Sequence, residues 1–271
     1  MSSPIVAVVQ FAPSTDPAAN LRALREPVAE AAARGAAVVL APEYAMYAVT
    51  RLDERVVAVR EPLGGPFVTG LGELAREFGV HLVAGMVEEV PDEPERIHNT
   101  LVVLSPGGEL VATYRKVHLY DAFGHRESEV VKPGAITEPP VFTVGDTVFG
   151  LQTCFDLRFP EGARRVAAAG ARVLLLPAQW IPGPGKVDQW TTLLRARAIE
   201  NTVYVAAADQ AEPRGAGASM IVDPAGAVLA ELGADPGVLT AAVDAELLDS
   251  VRRANPSLEL RRFAVVERVP E

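Results

Sequence analysis

The sequence predicts an α/β protein, a four-layer α-β-β-α sandwich of two mixed sheets. Three observations predict it. Near-continuous apolar strands alternate along the chain with amphipathic helices, which is the signature of sheets covered by helices. The second half echoes the first: Ala32-Ala33-Arg34-Gly35 leads into Val38-Val39-Leu40-Ala41-Pro42, as Ala168-Ala169-Gly170 leads into Val173-Leu174-Leu175-Leu176-Pro177. No Gly/Ser linker or low-complexity tract divides the halves. Residues 1–271 therefore read as a single domain, two half-sandwiches packed sheet to sheet.

Ile5 to Phe11 is a near-continuous apolar strand. Asp16 can cap a helix with Pro17 at its first position. Leu21, Leu24, Val28 and Ala31 continue that helix as a stripe, and Gly35 stops it. Ala36 to Glu43 is the next buried strand, Phe67 to Phe78 a second helix and Val80 to Val90 a third strand. Thr100–Leu104 and Glu109–Tyr114 flank Pro106-Gly107-Gly108 and read as a hairpin. Val148 to Thr153 is strand-like and runs into Cys154; a helix ending near Ala168, the strand Val173–Pro177, a helix over Val187–Glu200 and the strand Val203–Ala208 follow. A last hairpin turns at Asp223-Pro224-Ala225-Gly226, and the tail after Asn255 carries apolar residues suited to a partner subunit or to plain surface packing.

Composition narrows the function classes. The chain has 271 residues, 49% apolar and 22% charged, with a net charge of −10. No Lys/Arg-rich block appears, which argues against nucleic acid and anionic membrane as partners. No apolar stretch is long enough to span a bilayer. The N-terminus lacks a basic region before its first strand, so the expected location is the cytoplasm. The single cysteine forms no intramolecular disulfide and suits a reducing compartment.

That cysteine is the centre of the functional reading. A thiol between a buried strand and a helix is held on a sharp turn, near backbone N–H groups, as a nucleophile requires. Glu43 ends the second strand and Lys116 follows the hairpin; ligands of open α/β folds bind at such strand ends. Tyr47 and Trp180 follow strand ends and are candidate pocket residues. His118 reads as structural. A Cys–His hydrolase using His81, His98, His118 or His125 would leave Glu43 and Lys116 without a role. A zinc hydrolase lacks a closely spaced His pair. A silent binding protein and a redox-sensing cysteine are the non-enzymatic rivals.

Three segments carry a family resemblance. Ala41-Pro42-Glu43, Tyr114-Arg115-Lys116-Val117-His118-Leu119-Tyr120-Asp121 and Cys154-Phe155-Asp156-Leu157-Arg158-Phe159-Pro160-Glu161 resemble the signature segments of the nitrilase superfamily, the carbon–nitrogen hydrolases. Asn99-Thr100, Leu194–Asn201 and the hairpin from Ser219-Met220 match as well, so the resemblance runs from about Ile5 to about Asp244. It implies a Glu43–Lys116–Cys154 triad. A carboxylate takes the thiol proton, the thiolate forms a thioester, and Lys116 with the Phe155 N–H stabilises the oxyanion. No metal or organic cofactor is needed. The resemblance further implies a second glutamate, Glu127 in preference to Glu129, that holds Lys116. It makes Arg158 a carboxylate-binding candidate, with an ion pair to Asp156 or Glu161 as the alternative. It also implies a homodimer or larger homo-oligomer.

The cysteine segment looks most like the Nit-type branch, with its omega-amidases and deaminated-glutathione amidases. Gly217-Ala218 replaces the Gly-His or Gly-Lys often found there before Ser-Met. The expected reaction is release of ammonia from a small linear carboxamide bearing a carboxylate, with water as co-substrate. N-carbamoyl compounds and nitriles are the alternative substrates.

Overall fold

Two six-stranded sheets stack face to face in the computed structural model, which describes residues 3–268. The first half runs β1 (Ile5–Gln10), α1 (Pro17–Ala33), β2 (Ala36–Leu40), the short α2 (Glu54–Ala58), α3 (Pro66–Phe78), β3 (His81–Glu89), β4 (Ile97–Leu104) and β5 (Leu110–Arg115). The second runs β6 (Val141–Val144), β7 (Thr147–Leu151), α4 (Pro160–Ala168), β8 (Val173–Ala178), α5 (Lys186–Asn201), β9 (Tyr204–Asp209), β10 (Met220–Val222), β11 (Val228–Glu231), β12 (Gly237–Ala242) and α6 (Ala245–Ala254).

The sheet orders are β12-β1-β2-β3-β4-β5 and β11-β10-β9-β8-β7-β6. Each has a parallel centre, β1-β2-β3 in one and β7-β8-β9 in the other, with antiparallel strands outside it. The internal echo is thus real, with one exchange. The final strand, β12, leaves the second half and pairs antiparallel with β1, from Ile5↔Ala242 to Gln10↔Gly237. It occupies the place that β6 holds beside β7 in the other sheet.

Side-chain alternation builds three apolar layers. In β1, Val6 and Val8 face the opposite sheet while Ala7 and Val9 face the helices. In β8, Val173 and Leu175 face the opposite sheet while Leu174 and Leu176 face α4 and α5. Both faces of these strands are buried, which is why they read as unbroken apolar runs rather than alternating ones. The α1 start is as expected: Asp16 accepts the N–H groups of Ala18 and Ala19, and Pro17 opens the helix. Its stripe of Leu24, Val28 and Ala31 is fully buried. The tail beyond Asn255 carries no helix or strand up to residue 268, and Leu260, Phe263 and Val266 are exposed. Among the described residues, no helix is long and apolar enough to cross a membrane.

Candidate active site

The C-terminal ends of β2, β5 and β7 converge on one cavity of about 810 Å³, lined among others by Glu43, Lys116, Glu127 and Cys154. Glu43 lies just beyond β2. Its neighbour Tyr44 has φ 53°, turning the chain sharply away from the sheet. The turn passes so close to β3 that a Cβ on Gly85 would lie 2.4 Å from the Tyr44 nitrogen, so only glycine fits there. Backbone bonds from Gly85 N to Pro42 O and from Met46 N to Gly85 O fasten the turn.

Lys116 follows β5, its backbone bound to Asn99 O and to Gly134 N. Its Nζ is 2.9 Å from Glu43 Oε1 and 2.9 Å from Glu127 Oε2, and its side chain is 2% exposed. Asn99 Nδ2 donates to both carboxylates, at 2.7 Å to Glu43 and 3.2 Å to Glu127. Glu127 also accepts the Tyr44 hydroxyl at 3.1 Å and the Tyr120 N–H at 2.6 Å. Glu43 accepts the Gln179 N–H at 2.6 Å through its other oxygen. One ammonium thus sits between two carboxylates, and most of their remaining lone pairs are occupied. This meets the conditions under which a buried ion cluster is tolerated. Burial alone would lower the Lys116 pKa, but Glu127 and Glu43 outweigh it and hold the ammonium charged well above its ordinary range.

Cys154 opens a 3-10 turn, Cys154–Arg158, three residues after β7 ends. It lies on a turn between the strand and α4, as the sequence suggests, two residues further from the strand end than the strand-like run Val148–Thr153 implies. Its φ is 46°, a strained setting for a side chain with a Cβ. The turn is secured by Asp156, which is wholly buried. Asp156 accepts the Thr153 N–H, the His118 N–H, the Tyr114 hydroxyl at 2.7 Å and lies 2.7 Å from His118 Nδ1. One carboxylate thereby ties the turn of the cysteine to the loop of the lysine. His118 also stacks on Phe159, with ring centroids 3.8 Å apart. Cys154 Sγ lies 3.7 Å from Gln179 O. Burial first, and the Glu43 charge second, push the thiol well above its ordinary pKa, against the pull of Lys116. The setting therefore favours the protonated thiol.

Glu127 and Glu129 separate clearly: Glu127 is buried on Lys116, whereas Glu129 is exposed and lies 3.8 Å from Arg126. Arg158 pairs with neither Asp156 nor Glu161; its Nη2 donates to Gln189 at 2.8 Å and its guanidinium lies over Trp180. Tyr47 does not line the cavity. It is buried in the core between the first sheet and its helices, because the turn at Tyr44 carries the chain back under α1. Trp180 is buried behind the cavity against Trp190, with its indole N–H on Lys186 O. Phe155 directly follows the cysteine, its ring edge-on to Tyr120 and Phe159. Sequence reasoning assigned no role to Asn99, Tyr44, Tyr120, Gln179 or Lys186. The available signal was at Asn99, which sits in the polar run His98-Asn99-Thr100 at the start of a strand that is otherwise apolar.

Both the sequence and the fold have counterparts among known proteins. The Carbon-nitrogen hydrolase family profile matches residues 5–253. A hydrolase of Mycobacterium tuberculosis is 39% identical over 263 residues, covering 91% of this chain and 91% of the relative. A deaminated glutathione amidase of Escherichia coli O157:H7 is 38% identical over 261 residues, covering 96% and 98%. The amidase from Nesterenkonia sp. AN1, solved as a double mutant in complex with acrylamide, superposes with a TM-score of 0.83 at 31% identity, over 97% of this chain and 95% of that one.

Proposed function

The chain belongs to the carbon–nitrogen hydrolases, amidohydrolases acting on C–N bonds other than peptide bonds, and from that premise we propose that it releases ammonia from a small linear carboxamide bearing a carboxylate. The observation that carries the reading is the Lys116 ammonium held between Glu43 and Glu127 on the wall of the cavity that contains the Cys154 thiol.

An amide has a weakly electrophilic carbon and a poor leaving group, and a thioester divides its hydrolysis into two easier steps. The Cys154 thiol is protonated at rest, so Glu43 takes its proton as sulfur attacks the carbonyl carbon. Negative charge then develops on the carbonyl oxygen. Lys116, already charged and dry, and the Phe155 N–H stabilise it with little reorganisation. Glu43 returns the proton to nitrogen, the C–N bond breaks and ammonia leaves. Water, deprotonated by Glu43, then attacks the thioester. The carboxylic acid departs and the thiol is restored. Glu127 keeps Lys116 aimed at the reacting oxygen and is a positioning residue. Arg158, stacked on Trp180 near the turn of the cysteine, supplies a fork for the substrate carboxylate. The exposed tail residues Leu260, Phe263 and Val266 support a homo-oligomeric assembly, and the chain is expected to work in the cytoplasm.

The test is ammonia release from succinamate, butyramide, nitriles and N-carbamoyl amino acids, with Cys154→Ala alongside. Turnover concentrated on succinamate and lost in the variant is expected. Preference for butyramide, an uncharged amide as acrylamide is, would overturn the carboxylate requirement. Preference for nitriles or carbamoyl compounds would overturn the amide reading while keeping the triad. Full activity of Cys154→Ala would sink the mechanism.

A further inference from the structure

Lys186 is a cation in an unusual place. It is 8% exposed and is the first residue of α5, where the positive end of the helix dipole disfavours a positive side chain. Arg158 stands beside it. Lys186 Nζ lies 4.7 Å from the Phe123 ring centroid and 4.7 Å from that of Trp180. The Arg158 guanidinium lies 5.5 Å from Phe123 and 4.8 Å from Trp180. Two cations thus rest against the same two rings. Among the described residues neither belongs to an ion pair. Lys186 Nζ has one hydrogen bond, to the Tyr120 hydroxyl at 3.4 Å. Arg158 Nε is buried with no hydrogen-bond partner among the described residues. Asp156, two residues away, is fully engaged by Tyr114, His118 and Thr153.

Ring faces attract both cations, which holds them in place but leaves most of their N–H donors unused. Burial, with the Arg158 charge added, pulls the Lys186 pKa down, as expected where a counter-ion is missing. Tyr120 and Phe123 line the same cavity as Cys154 and Glu43 while lying against Lys186. Lys186 and Arg158 are not themselves lining residues; they lie against rings that are, Lys186 against Tyr120 and Phe123 and Arg158 against Phe123, next to the space a substrate occupies. A carboxylate there would receive the unused donors of both groups.

We propose that Lys186 is a specificity-determining residue, which together with Arg158 binds the carboxylate of the amide substrate at the Phe123 and Trp180 rings. The proposal deepens the carboxylate reading given above and rests on it. Charge-assisted hydrogen bonds from two different cations select a carboxylate over a neutral terminus more strongly than one fork alone.

The test compares succinamate with butyramide. Lys186→Met keeps the packing volume against the rings and removes the charge. It is expected to lower the succinamate-to-butyramide ratio of kcat/KM by about tenfold or more, through KM for succinamate. Lys186→Arg should restore most of the ratio. In a Cys154→Ala background, calorimetry should show succinamate binding weakened about tenfold by Lys186→Met, a reading that needs no turnover. An unchanged ratio and an unchanged Kd, with wild type still preferring succinamate, would overturn the role of Lys186 alone. A wild-type protein that prefers butyramide would overturn the carboxylate reading, and this proposal with it.

Discussion

At Cys154 both backbone and side chain are held away from their resting preferences. The φ of 46° places a residue with a Cβ in the left-handed region, at a cost of about 1–3 kcal/mol that the Asp156 network offsets. The thiol pKa is raised by burial, and the Lys116, Tyr44 and Tyr114 pKa values are raised as well. For groups with raised folded-state pKa values, the stability they contribute is fully present below the unfolded values. It is lost as pH rises through the folded ones. Ordinary values here run from 9.0 for the thiol to 10.5 for the lysine. Thermal melts should therefore show stability falling from about pH 9 upward, less steeply in Cys154→Ala. Glu127→Gln leaves the Lys116 ammonium facing one carboxylate and should lower kcat by about 10²-fold with KM little changed, measured on the preferred amide. The sequence made Glu43, Lys116 and Cys154 legible because each sits in a distinctive segment at a strand end. It hid Gln179, whose contribution comes from backbone groups that carry no residue-type signal. It hid Lys186 too, since a lysine after Gly-Pro-Gly reads as a surface residue.

Elements owe their positions to a few close contacts. Gly85 allows the Glu43–Tyr44 turn to cross β3 in contact with its backbone. Gly85→Ala should push that turn outward, destabilise the protein by about 1–3 kcal/mol and reduce kcat, read by denaturant titration alongside ammonia release. Asp16 caps α1 on the exposed surface, remote in sequence from the site segments. Asp16→Ala should cost about 1 kcal/mol of stability while kcat/KM stays at the wild-type value. The first helix was legible because cap, Pro17, stripe and Gly35 all act locally. The turn of Cys154 was only partly so. Its capping pair, Thr153 with Asp156, lies within the segment, but three of the four contacts that fix the Asp156 carboxylate come from Tyr114 and His118, far away in the chain.

For the whole molecule, the internal repeat announced two similar halves, and the sheets repeat one another strand for strand. What local pattern could not reveal is that β12 crosses to the opposite sheet, because pairing of Ile5 with Ala242 is decided by packing between distant segments. A chain ending at residue 236 should lose this strand, leave β1 as an unpaired apolar edge and run as aggregate on size-exclusion chromatography.

The same crossing sets a timetable for biosynthesis. The ribosome makes β1 (Ile5–Gln10) long before β12 (Gly237–Ala242). At about 5–20 residues per second, on the order of ten to fifty seconds separate the two. Throughout that interval the nascent chain carries an open edge on Val6, Val8 and their neighbours, and the first sheet closes only once β12 has emerged. Until then the β1 edge is a site for misassociation, and a holdase that binds it would protect the newborn protein.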